Sequence, residues 1–82
     1  MRIAYLHTMY PKEIANIERN RSEIYRVSLN EFKGKLLCDI RIWYLDADDN
    51  YQPGKKGVSV PVEKLDELIA ALQSAKNESS NS

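Results

Sequence analysis

The stretch Tyr25-Arg26-Val27-Ser28-Leu29-Asn30-Glu31-Phe32-Lys33-Gly34-Lys35-Leu36-Leu37-Cys38-Asp39-Ile40-Arg41-Ile42-Trp43-Tyr44 decides the fold. Tyr25, Val27 and Leu29 alternate with Ile24, Arg26 and Ser28, which is the two-residue period of a half-buried strand. Beyond Lys33-Gly34 the period resumes, with Cys38, Ile40 and Ile42 on one side and Asp39, Arg41 and Trp43 on the other. Glycine supplies the positive φ of a tight hairpin, so the two strands are antiparallel neighbours. One face of the pair is apolar, and the other carries charge and an aromatic ring.

Working outward, Lys56 to Val60 predicts a third strand with Val58 and Val60 on the apolar side. Asp46-Ala47-Asp48-Asp49-Asn50 is the hairpin loop before it. A fourth strand runs from about Glu13 to Arg19, although Ile14 and Ile17 break strict alternation. From Val62 to Ala75 the period changes: Val62, Leu65, Leu68, Ile69 and Leu72 form one stripe of an amphipathic helix. Pro61 stops the preceding strand and is compatible with a helix start, and Glu63 and Asp66 place negative charge at the positive end of the helix dipole. The expected class is α+β, a four-stranded antiparallel sheet followed by one C-terminal helix whose stripe covers one sheet face. The opposite face must meet solvent, a subunit or a ligand.

The chain has 82 residues and a formal net charge of +0, and divides into three expected parts. Residues 1–12 are an N-terminal segment whose order the sequence leaves open, 13–75 form one domain, and the polar run 76–82 is a disordered tail. Leu, Ile, Val and Phe number 20, enough to fold but too few for a large core. One cysteine and one histidine provide neither an internal disulfide nor a zinc site, so no cofactor is expected and oligomerisation is the remaining route to stability. No run approaches a membrane span, and the N-terminus lacks the features of a secretory signal. The expected compartment is the cytoplasm, with association to the nucleoid in a prokaryote. Charge is uneven: between Arg19 and Arg41 there are 6 basic and 3 acidic residues.

No constellation for enzyme chemistry is present, because Cys38 lies mid-strand and His7 has no patterned surroundings. The acidic loop fails as a calcium loop, having Tyr51 where glycine is needed and Gly57 where a bidentate glutamate is needed. What remains is Phe32-Lys33-Gly34-Lys35, Arg41 with Trp43 and Tyr44, and Lys55-Lys56-Gly57. Cations interleaved with rings suit an unpaired strand, whose bases stack while its phosphates seek Lys and Arg. The competing reading is a protein-interaction or dimerisation module with solvated cations. Single-stranded RNA also stays open, since nothing here reads a 2′-hydroxyl.

From Tyr25 to Leu72 the sequence resembles the DNA-binding domain of the positive cofactor four transcriptional coactivator family. Phe-Lys-Gly-Lys, Asp-Ile-Arg before paired aromatics, and Pro-Gly-basic-Lys-Gly occur in the family's order. The resemblance implies a curved sheet, a homodimer formed through the C-terminal helix, and a groove for single-stranded or melted DNA with little sequence preference, acting in transcription regulation, replication or repair. It also implies that Phe32 and one of Trp43 and Tyr44 stack on bases, and that Lys33, Lys35, Arg41, Lys55 and Lys56 contact phosphates. The family pattern has Tyr then Trp at 43 and 44, and basic residues where Asn30 and Gln52 stand, so fewer phosphate contacts are expected. Without the serine-rich arm of the eukaryotic coactivators, a compact prokaryotic or phage-type relative is the expectation.

Overall fold

The computed structural model describes residues 9–80. Four strands form one open, curved antiparallel sheet in chain order: β1 (Lys12–Asn20), β2 (Glu23–Phe32), β3 (Lys35–Leu45) and β4 (Tyr51–Pro61). A 3-10 turn (Val62–Lys64) and one helix, α1 (Leu65–Ser80), follow. The hairpin expected at Lys33-Gly34 is present, with φ of 52° and 80°. Pairing of β2 with β3 runs unbroken from Phe32↔Lys35 to Glu23↔Tyr44. After β3 the chain turns around Asp46, whose Oδ1 accepts the backbone N–H groups of Asp48 (2.8 Å) and Asn50 (3.0 Å) and whose Oδ2 accepts from Gln52 (2.9 Å). These bonds to the ionised form, the Asn50 N–H foremost, hold the Asp46 carboxyl below its ordinary range.

Two register breaks explain what simple alternation does not. Glu13 pairs with Ser28 and Ala15 with Val27, so Ile14 is the extra residue of a β-bulge and the phase of β1 changes there. Ile17 then falls opposite Tyr25 on the apolar face. In β4, which starts at Tyr51 rather than Lys56, Gly57 pairs with Arg41 but Pro53 pairs with Trp43, leaving two surplus residues between them. The bulge lies tight against β3: a Cβ on Gly54 would meet Ile42 O at 2.6 Å, and one on Gly57 would meet Ile40 O at 2.8 Å and Arg41 Cα at 2.9 Å. Only glycine fits such approaches.

The two sheet faces follow from the register. Tyr25, Val27, Leu29, Cys38, Ile40, Ile42, Val58 and Val60 share the apolar face, and Arg26, Ser28, Asn30, Asp39, Arg41, Trp43 and Ser59 share the polar one. The expectation that α1 covers the apolar face is corrected. The helix makes no substantial contact with any strand, and Ile69 and Leu72 of its stripe are 61% and 59% exposed. Pro61 leads directly into the short 3-10 turn, which carries the helix away from the sheet; the molecule measures 52 × 37 × 17 Å. Among the described residues only Ile24, Ser28 and Cys38 are buried.

The polar run 76–80, which composition assigns to the tail, continues the helix. Gln73 Nε2 donates to Asn77 Oδ1 (3.2 Å), and the Ser79 and Ser80 hydroxyls donate back to the Lys76 carbonyl (2.7 and 3.1 Å). Residues 1–8, including His7, and 81–82 lie outside the described residues.

Candidate nucleic-acid interface

Cross-strand neighbours on the polar face build a cleft of about 500 Å³, lined in part by Arg26, Ser28, Asn30, Asp39, Arg41 and Trp43. Arg41 is held on two sides. Its Nη2 and Nε donate to Asp39 Oδ1 (2.9 Å) and Oδ2 (3.1 Å), while Nη1 donates to the carbonyls of Gly54 (3.2 Å) and Lys55 (3.4 Å). The Asp39 hydrogen bonds, against a smaller desolvation effect, raise the Arg41 pKa above its ordinary value. Ser59 Oγ completes the Asp39 shell at 3.1 Å. Arg41 therefore staples the β4 bulge to β3, and its charge is already matched.

Trp43 is covered as well. The Arg26 guanidinium carbon lies 4.1 Å from the centroid of its ring and 5.8 Å from that of Tyr51. Arg26 Nε donates to Asn16 Oδ1 (2.9 Å), and its Nη2 lies 3.6 Å from Glu13 Oε1. The Trp43 indole N–H is buried without an acceptor among the described residues.

The other residues singled out from sequence stand elsewhere. Phe32, 60% exposed, and Lys35 are at the hairpin end of the polar face, with Lys33 in the turn and its Nζ 5.3 Å from the centre of the Phe32 ring. Tyr44, next to Trp43, points to the opposite face and is 45% exposed. It shares a depression of about 260 Å³ with Arg19, Glu23, Ile42, Gly54, Lys55 and Lys56. There the hydrogen bond from Asn20 and, after it, the Arg19 charge outweigh burial and hold the Glu23 carboxyl below its ordinary value, with Lys56 adding a smaller pull. Nine residue steps along β3 separate Lys35 from Tyr44, about 30 Å. The eight residues thus do not form one surface; they fall into a hairpin end, a polar centre and a bulge side. None of the four lysines makes an ion pair among the described residues.

Comparison with known proteins bears on this arrangement. The family described as Transcriptional Coactivator p15 (PC4) matches residues 19–71, more than half of the chain. The chain belongs to the PC4 family. It is 40% identical over 55 residues to the RNA polymerase II transcriptional coactivator KIWI of Arabidopsis thaliana, a match covering 67% of this chain and 47% of that one. The chain thus spans about half the length of that relative. In structure it is similar to BPSL1147, a PC4 homolog from Burkholderia pseudomallei, with a TM-score of 0.79 and 28% identity over 83% of this chain and 92% of the other. It is also similar to the bacteriophage T5 homolog of the coactivator PC4, implicated in recombination-dependent DNA replication, with a TM-score of 0.71 and 32% identity over 87% and 82% of the two chains.

Within this PC4 fold, sequence reading missed Arg26, Tyr51 and Asn16. Alternation already put Arg26 on the polar face, but its partners on β1 and β4 depend on register breaks that the sequence does not display. Cys38 is buried, and burial followed by the Asp39 charge pushes its thiol up, away from the reactive thiolate. Among the described residues no three His, Cys, Asp or Glu side chains are grouped to hold a metal, and no helix is long and apolar enough to cross a membrane.

Proposed function

We propose that this PC4-family chain binds single-stranded or melted DNA as a homodimer with little sequence preference, in support of transcription, replication or repair in the cytoplasm or at the nucleoid. The observation that carries this reading is the contrast in charge state. Lys33 and Lys35 at the hairpin end and Lys55 and Lys56 at the bulge side make no ion pair among the described residues and are available to phosphates, while Arg26 and Arg41 of the polar centre are matched. Phe32 and Tyr44 supply the exposed rings; Trp43, capped by Arg26, does not stack directly. A strand that meets Phe32, Lys33 and Lys35 at the hairpin reaches Tyr44, Lys55 and Lys56 by passing round the sheet at the β4 bulge, a path suited to several nucleotides. The implication of the T5 homolog in DNA replication favours DNA over RNA.

The dimer reading rests on two uncovered apolar surfaces, the part of the sheet face around Val27, Ile40 and Val58 and the α1 stripe, which a second copy buries together while the Tyr44 end of that face stays open. Fluorescence anisotropy with a thymidine oligomer tests the function. Affinity should exceed that for duplex of equal length and fall with salt at a slope of about −0.7 per phosphate contact. Phe32→Ala should cost roughly 1 to 3 kcal/mol of binding, one stacked base. Equal affinity for duplex, or no binding at low salt, overturns the reading in favour of a protein-interaction module.

A further inference from the structure

The cleft at the polar centre has a composition that the lysine-rich ends do not share. Its two arginines each face a carboxylate, Arg41 with Asp39 and Arg26 with Glu13, so it offers phosphate little net attraction. Its volume of about 500 Å³ falls within the range of roughly 300 to 1,000 Å³ of small-molecule sites. Within it Arg26 stacks on Trp43, the guanidinium carbon 4.1 Å from the ring centroid. The Arg26 side chain is 15% exposed, and its guanidinium is bound to Asn16 from β1 and flanked by Tyr51 from β4. It covers one side of the Trp43 ring.

We propose that this cleft receives one unpaired base of a bound strand, and that the base stacks on the outer side of the Arg26 guanidinium rather than on Trp43. The inference rests on the single-strand reading above and adds a residue and a mode to it. A planar cation is a stacking surface for bases, and here it is already fixed by neighbours on three strands, so ordering it costs little on binding. The ladder of indole, guanidinium and base then continues a contact present in the free protein. Lysine does not substitute, because an ammonium has no plane to stack on.

The test pairs Arg26→Lys with the wild-type protein and a thymidine oligomer across several salt concentrations. Arg26→Lys should bind about tenfold more weakly with the salt slope unchanged, since the charge is kept and the stack is lost. Wild-type affinity in the variant, or a slope smaller by about 0.7, which marks a phosphate contact, overturns the proposal. A second measurement needs no variant. Trp43 is the only tryptophan, and a base stacked on Arg26 stays off the indole, so its emission should change little at saturation. Strong quenching places a base on the ring itself and overturns the proposal. No binding by the wild-type chain removes the single-strand reading, and this inference with it; binding with a tolerant Arg26→Lys removes only the inference.

Discussion

Arg41 and Lys35 are both cations on the polar face of β3, three strand steps apart on the same side, yet their surroundings are opposite. Arg41 spends its donors on Asp39 and on the carbonyls of Gly54 and Lys55, whereas Lys35 meets no carboxylate among the described residues. A positive side chain on a nucleic-acid protein is thus either architecture or contact, and its hydrogen bonds in the free state separate the two. The same division holds for rings: Trp43 lies under Arg26, and Phe32 stands open.

The bulge that Arg41 staples gives the largest effect by which to break this comparison. Gly57→Ala forces a Cβ into the β3 backbone, and overpacking of this kind costs roughly 1 to 3 kcal/mol. In a domain of this size about 2 kcal/mol corresponds to a fall in Tm of roughly 8 to 16 °C. Thermal melting followed by circular dichroism checks it, and an unchanged Tm shows that the bulge is loose.

A smaller effect sharpens the contrast directly. Arg41→Ala should lower stability by about 1 to 2 kcal/mol, because charge-assisted bonds to a half-buried carboxylate are lost. Lys35→Ala should leave Tm unchanged and reduce the salt slope of oligomer binding by about 0.7. If the two variants exchange these signatures, the assignment of architecture and contact is reversed.

The smallest expected effect is that of acid on the β3–β4 loop. The Asp46 carboxyl is held below its ordinary value of 3.8, so its contribution to stability is intact well above that value and is lost as pH falls through the lower folded-state value. Asp46→Asn should therefore lower stability slightly near neutrality, where the ionised carboxylate contributes, leave it little changed in acid, and so flatten the acidic end of the stability profile, as denaturant titration across pH would show.

Much of this was legible in the sequence because it is local. Alternation in Tyr25–Tyr44 assigned both faces of β2 and β3, the Lys33-Gly34 turn set their register, and the family motifs pointed to the PC4 family. What stayed hidden depends on contacts across strands. The Ile14 bulge decides that Asn16 stands opposite Arg26, and the two surplus residues near Gly54 decide that Arg41 reaches backbone carbonyls rather than solvent. The helix shows the same limit from the other side. Its stripe in Leu65–Leu72 is plain, but a stripe says that something must be covered and not by which chain.

The outer strand β1 carries a further consequence. Its free edge presents a register break on either side of its centre, and Lys12, Glu13, Glu18 and Arg19 are all exposed along it. Kinks and charges on an unpaired border discourage other strands from adding to it. A molecule that leaves so much of its oily underside bare is thereby guarded against stacking edge to edge into fibres.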